Sequence, residues 1–359
     1  MENIETKESS NVTKWWKIIL PMGVVFIGGS VFLTYLYLLN NSNLISSKDT
    51  SGGICTGVNI DFFPGGNETD SFASVVYSGA KAAEKDLGAN VKYFWSDWDS
   101  SKMISQFIDA IATSPDAIAI MGHPGVDALS PLVDEAERKG IIVTSQNVDL
   151  PAIREKYSSK GFGYVGQSLY DSGLMVSNAI IRKYNPKKGT EAIVFGVNPT
   201  ASPSRYQRTK GNVDGLKNNG LVVHEISMSP EVEKDLESLT TRKMISDALA
   251  KYPNTKIIIA DHGALTASIS SHLSNLGKKP GEIIVAGFDL SVNTVKGIKD
   301  GYIGLILDQQ PYLQGYLPIL QTCLTKKYGF SGLYINTGVG LIDNSNIDLV
   351  AGLAESKIR

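Results

Sequence analysis

At 359 residues the chain is long enough for two ordinary domains beyond any terminal segment. Its 42% hydrophobic and 19% charged residues are those of a globular protein with sizeable cores. The formal net charge of −2, without any Lys/Arg-rich stripe, excludes a nucleic-acid backbone as partner, because phosphate binding needs a basic patch.

Three lysines (Lys7, Lys14, Lys17) punctuate a short N-terminal tail, residues 1–17. The uncharged, apolar run Ile18–Leu39 follows, and at about 1.5 Å per helical residue it matches a hydrocarbon core of roughly 30 Å. It is too long for a secretory h-region and ends without a small-x-small site, so it reads as an uncleaved transmembrane helix. Lysines precede the run and the next one after it is Lys48, which places the tail in the cytoplasm and the bulk of the chain outside, as a single-pass cell-membrane protein. Residues 40–53, rich in Asn, Ser and Gly, read as a flexible spacer.

From residue 54 the chain alternates apolar strands with amphipathic helices. ICTGVNI (54–60) leads to a helix over about 68–87, VKYFW (91–95) to one near 100–113, and AIAIMG (117–122) to one at about 125–139, before IIVTSQ (141–146). The pattern restarts with FGYVG (162–166), IVFGV (193–197), LVVHEI (221–226), IIIADH (257–262) and IIVAGFD (283–289). Near-continuous apolar strands imply parallel sheets covered on both faces, and so many units exceed one comfortable sheet. The expected fold class is α/β, with two doubly wound parallel-sheet lobes preceded by one N-terminal transmembrane helix. Cys55 and Cys323 fall far apart, in a strand-like and a helix-like segment without metal-ligand spacing, and read as two separate buried residues with no disulfide.

Ligands of open α/β sheets bind beyond the carboxyl ends of strands. Those ends carry Asp61-Phe62-Phe63, Ser96-Asp97-Trp98, His123, Gln146-Asn147, Asn198, Asp261-His262, Phe288-Asp289 and Asp308-Gln309-Gln310. Carboxylates and amides engage vicinal hydroxyls and aromatic faces cover C–H surfaces, which is the chemistry of carbohydrate recognition.

Residues 54–352 resemble the type I periplasmic binding proteins, specifically the ribose/galactose-like sugar-binding subunits of ABC importers. The resemblance is carried by GFDLSVNTVKGIKDGYIGLILDQQPYLQGYLP (287–318), VNIDFF (58–63), RYQRTKGNVDGL (205–216) and INTGVGLIDNSNID (335–348). It implies that Phe62 and Phe63 pack against a sugar from the first lobe and that Arg208 donates to its oxygens. Phe288 would cover a ring face while Asp289 and Gln309 bond hydroxyls. Asp61 stands where many relatives have Asn, and Gln146-Asn147, within Ser145-Gln146-Asn147, replaces the Asp-Arg pair familiar in ribose binders, departures that keep the general site and leave the identity of the sugar open. Asp261 or His262 occupies the place of a further polar ligand residue, and Trp98 adds a stacking surface. The family architecture implies lobes of 54–166 plus 310–336 and of 167–309 plus 337–359, with crossings near Gly166-Gln167, Gln309-Gln310 and Asn336-Gly338. It further implies a monomer that closes on a monosaccharide or similar cyclic polyol and delivers it to ABC permease and ATPase subunits.

GFGYVG (161–166) matches G-x-G-x-x-G formally, but the segment is itself the strand, so no dinucleotide site follows. The histidines His123, His224, His262 and His272 lack ligand spacing, and there is no nucleophile elbow or P-loop. No cofactor, metal or catalysis is expected. A transcription regulator on this fold would carry a helix-turn-helix where this chain has its apolar span. The alternative function is a ligand-sensing ectodomain, for a sugar or furanone autoinducer, that feeds a separate kinase or chemoreceptor, since no transmitter module is read before Arg359.

Overall fold

A computed structural model describes residues 53–359 except 230, 231 and 234. The tail at 1–17, the span at 18–39 and the spacer at 40–52 lie outside the described residues. Among the described residues no helix is long and apolar enough to cross a membrane.

The chain runs β1 (Asn59–Gly65), α1 (Ala73–Leu87), β2 (Asn90–Trp95), α2 (Ser100–Thr113), β3 (Ala117–Met121), α3 (Val126–Arg138), β4 (Ile142–Gln146), α4 (Pro151–Tyr157) and β5 (Tyr164–Gly166). It continues with α5 (Leu169–Tyr184), β6 (Glu191–Gly196), α6 (Pro203–Asn218), β7 (Val222–Ser227), α7 (Leu239–Lys251), β8 (Thr255–Ala260), α8 (Gly263–Asn275), β9 (Ile284–Phe288), α9 (Val292–Lys299) and β10 (Leu305–Asp308). The last elements are α10 (Pro311–Tyr328), β11 (Tyr334–Asn336), β12 (Gly340–Asp343) and α11 (Ala351–Glu355).

Two six-stranded sheets result, ordered β11-β5-β4-β3-β1-β2 and β12-β10-β9-β8-β6-β7. All pairings are parallel except β12 against β10. This is the two-lobe, doubly wound α/β fold. The apolar runs explain it: every residue of Ala117–Met121 in β3 is buried, and Ile257, Ile258 and Ile259 of β8 are fully covered on both faces. Each such buried isoleucine stabilises the fold by roughly 1.5–3 kcal/mol. Caps fix the helix starts; Asp99 accepts from the Lys102 N–H at α2, and Ser238 and Ser291 do the same at α7 and α9.

In each sheet the strand order reverses beside its first strand, between β1 and β3 in one and between β6 and β8 in the other. The chain passes from the first sheet to the second after β5, at Gln167-Ser168. It returns after β10, at Gln309-Gln310, and leaves again between β11 and β12, at 337–339. Helix α5 therefore packs on α6 of the second lobe, and α10 packs on α1 and β4 of the first.

Two expectations are corrected. Strand β1 begins at Asn59 and runs to Gly65, later than the 54–60 read from apolar pattern, so Asp61, Phe62 and Phe63 lie inside the strand and not at its end. Cys55 precedes β1 in a turn and forms a disulfide with Cys323 of α10, with 5.3 Å between the Cα atoms. The pairing exists because α10 returns to the first lobe after 268 residues.

Candidate functional site

Helix α6 brings a buried positive charge to the second lobe. Its RTKGNVDG stretch crosses α5 backbone to backbone: a Cβ on Gly173 would strike the Arg208 carbonyl, and one on Gly211 the Tyr170 carbonyl. That contact holds Arg208 toward the sheet, where it is only 1% exposed. Its Nε donates to Oδ1 of Asp261, its Nη2 donates to the Asp261 carbonyl at 2.8 Å, and the Thr209 hydroxyl donates to Oδ2. Asp261, fully buried directly after β8, thus spends both carboxylate oxygens on positioning. The guanidinium lies 4.0 Å from the ring centroid of Phe288, the last residue of β9. Nη1 of Arg208 has no hydrogen-bond partner among the described residues.

From Asp289 a chain of amides leads to the crossings. Gln309 donates through Nε2 to Asp289 Oδ1 at 2.6 Å, and its Oε1 accepts from Gln167 at 2.8 Å and Asn147 at 3.2 Å. Gln314 of α10 accepts from Asn147 at 3.0 Å and donates to the Gln309 carbonyl at 3.0 Å and to the Thr337 hydroxyl at 3.2 Å. All three crossings meet in this cluster. Burial pushes the Asp289 carboxyl up to about 6, against the pull of Arg208.

The backbone is left-handed just beyond four of the strands. Asn147 (φ 65°), Asp289 (φ 69°), Gln310 (φ 55°), Asp97 (φ 53°) and Trp98 (φ 58°) are left-handed non-glycine residues following strands β4, β9, β10 and β2. Each costs of order 1–3 kcal/mol and persists because its surroundings over-determine it.

On the first lobe Trp98 is the aromatic at the strand ends. Its Nε1 donates to Asp70 at 3.0 Å, its ring stands 5.0 Å from that of His123, and it covers Gly65 and Gly66, where any Cβ would meet the indole. Gln146, fully buried, donates to the Phe63 carbonyl at 3.0 Å and leaves its Oε1 unpaired. Phe62 and Phe63 are fully buried in the first lobe's core, Phe63 stacked on Phe94 at 4.9 Å and Phe62 beside Tyr93 at 6.0 Å. Asp61 sits opposite Lys92 in the sheet, and burial raises its carboxyl against that charge.

The structure therefore brings together Arg208, Asp261, Phe288, Asp289, Gln309 and Asn147, with Gln146 adjacent and Trp98 on the facing lobe. Asp61, Phe62 and Phe63 stand apart, within the core of β1. Sequence reasoning missed Arg205, Gln167 and Gln314. Arg205 could have been found from its spacing, one helical turn before Arg208. Burial, and then the charge of Arg208, push Arg205 down to about 10, and Asp261, Asp289 and Glu233 counter this. Among the described residues no cluster of His, Cys, Asp or Glu could hold a metal ion. A cavity of about 490 Å³ between α8 and α9 shares no residue with this crevice.

Residues 60–323 match the model of the periplasmic binding protein domain. The chain is 28% identical over 264 residues to the xylose/arabinose-binding protein XylF of Sulfolobus acidocaldarius, covering 69% of this chain and 62% of that protein's length. A carbohydrate transporter structure from Acidothermus cellulolyticus, in complex with myo-inositol, superposes with a TM-score of 0.71 at 22% identity, covering 84% of this chain and 99% of the other. An ABC transporter solute-binding protein from Burkholderia graminis, in complex with D-arabinose, does so with a TM-score of 0.71 at 23% identity, covering 82% and 97%. At such identities these structures establish the shared fold.

Proposed function

This chain belongs to the periplasmic binding protein domain family, and we propose that it is an extracytoplasmic solute-binding protein. In this reading it captures a monosaccharide or similar cyclic polyol by closing its two lobes, and delivers it to an ABC importer without chemical change. The observation that carries the reading is the Asp289–Gln309–Asn147 connection, which joins a carboxylate of one lobe to an amide of the other through a crossing residue. A ligand held by Asp289 bears directly on the geometry that sets the lobe angle. The sugar named for XylF, in a relative matched over part of its length, supports the ligand class.

Binding without chemistry is supported by Asp261, whose oxygens are engaged by Arg208 and Thr209 and so are not free for proton transfer. An extracytoplasmic position is supported by the apolar run at 18–39 and by the Cys55–Cys323 disulfide, since such bonds persist mainly in oxidising compartments. Tethering would hold the receptor near its permease and raise its effective concentration there.

The test is a thermal-shift screen of the purified protein against pentoses, hexoses and inositols, since a ligand bound only by the folded state raises Tm. At least one member should raise Tm, and Asp289→Ala should abolish the rise. No shift with any member would overturn the reading.

A further inference from the structure

The end of the first lobe opposite the crevice carries an apolar patch that the fold leaves uncovered. Strands β1, β3, β4 and β5 begin there, and helices α1 and α10 end there. At and just beyond the last turn of α10, Tyr328, Phe330 and Leu333 are 64%, 57% and 50% exposed, with the first two rings 5.9 Å apart. Their exposure does not come from a loose backbone. The Gly329 N–H donates to the Thr325 carbonyl at 2.8 Å, and the Thr325 hydroxyl donates to the Phe330 carbonyl at 2.9 Å. The Gly332 N–H donates to the Ser158 carbonyl at 2.8 Å and the Leu333 N–H to Gln321 at 3.2 Å. A backbone tied at four points thus leaves three apolar side chains in water.

Lysines border the patch. Lys327 is exposed and donates to the Thr56 carbonyl at 3.1 Å. Lys160 ends the adjoining turn at Ser158–Lys160, its ammonium 5.5 Å from the Tyr157 ring centroid, while Lys326 is answered by Asp116 at 2.8 Å. The chain also enters the described part at this end. Gly53 lies against Leu87, the last residue of α1, and the Cys55 N–H donates to the Leu87 carbonyl at 2.7 Å. The disulfide to Cys323 then joins that entry to the last turns of α10. Residues 40–52, between the apolar run at 18–39 and Gly53, extend at most about 45 Å.

The size and place of the patch point to its occupant. Three side chains fall well short of the roughly 800 Å² that each partner of a stable protein interface buries. A lipid headgroup layer needs no matching shape. It accepts tyrosine at its own depth, phenylalanine and leucine just below, and lysines beside the lipid phosphates. A tether raises the effective concentration of that layer, so a contact too weak to hold a free protein becomes populated.

Resting on the tethered, extracytoplasmic reading above, we propose that Tyr328, Phe330 and Leu333, flanked by Lys327 and Lys160, dock the first lobe on the headgroup layer of a lipid bilayer. The docked lobe stands end-on, and the crevice at its opposite end stays open to ligand.

The test is a spin label on Ser331→Cys, an exposed position inside the patch, in the full-length protein reconstituted into phosphatidylcholine–phosphatidylglycerol vesicles. The two native cysteines are paired with each other, so the label has a single site. A water-soluble nickel chelate should relax this label far less than one on Lys243→Cys, on α7 of the second lobe. Phe330→Ser should lower the ratio of docked to undocked protein by at least about 10-fold, the loss expected when one aromatic side chain is no longer buried, and should restore the relaxation. Phe330→Leu should keep the label protected. Equal relaxation at positions 331 and 243, in protein that floats with the vesicles, would overturn the proposal while leaving the tether and sugar binding intact. Protection seen only at high protein density, with dipolar broadening between labels, would overturn it in favour of a second copy of this chain. Protein that does not float with the vesicles would overturn the tethered reading and this inference with it.

Discussion

Arg208 and Asp261 form a fully buried pair in which the aspartate also accepts the Thr209 hydroxyl, so one carboxylate fixes two consecutive residues of α6. Desolvating such a pair is costly, and the neighbouring bonds offset that cost only while both members remain. Asp261→Ala leaves a guanidinium without its counter-charge beneath Phe288. We expect a loss of about 3–5 kcal/mol in denaturant unfolding, by analogy with other broken buried pairs. Asp261→Asn, which can still accept one bond, should lose less.

Asp289 makes stability depend on pH in a defined direction. Its folded-state pKa of about 6 lies above the roughly 3.9 of an unfolded aspartate. Between those values the folded chain holds the proton more tightly, so this group's contribution falls as pH rises from about 4 to about 6 and is level above. Asp289→Asn should remove that slope. Subtracting variant from wild-type unfolding free energies across pH 4–7 isolates it, and a flat difference would show that Asp289 titrates normally.

The core placement of Phe63 predicts a structural role. With its ring stacked on Phe94 and edge-on to Phe107, Phe63→Ala should cost about 3–5 kcal/mol in chemical denaturation. A ligand-facing ring would instead lower affinity with little change in stability.

That phenylalanine also shows where the sequence could be read and where it could not. Alternation of apolar strands and amphipathic helices was visible because parallel strands are apolar on both faces, and β2, β3 and β9 fall within about a residue of their apolar runs. The same property hides where a strand ends. Nothing in VNIDFFPGG separates a core phenylalanine from one at the rim, so the apolar pattern places β1 too early and sets Asp61-Phe62-Phe63 at its end instead of inside it. Phe288, Asp289 and Gln309 were legible because polar residues follow their strands at once. Gln167 and Gln314 were not, because glutamines at a crossing and on a helix resemble ordinary surface residues until three crossings converge on them.

The Cys55–Cys323 bond was hidden for a related reason: its partners adjoin only once α10 returns to the first lobe. Closing so long a loop constrains the unfolded chain, and removing a native disulfide typically costs about 2–5 kcal/mol. The Cys55→Ser/Cys323→Ser variant should melt lower than the oxidised wild type. A reductant should lower the wild type to the variant's Tm and leave the variant unchanged.

Gln309 offers the sharpest probe of the connection between lobes. Its Oε1 accepts from Asn147 and Gln167, while its Nε2 donates to Asp289. Gln309→Glu keeps the acceptor for Asn147 and Gln167 but sets a second carboxylate against Asp289. Two carboxylates in contact cannot both ionise without strong repulsion, so one must take up a proton. At pH 7 the variant should therefore melt several degrees below wild type, and the gap should narrow as pH falls toward 5 and the pair shares a proton. A gap independent of pH would mean that the 2.6 Å contact between Gln309 and Asp289 does not hold in solution.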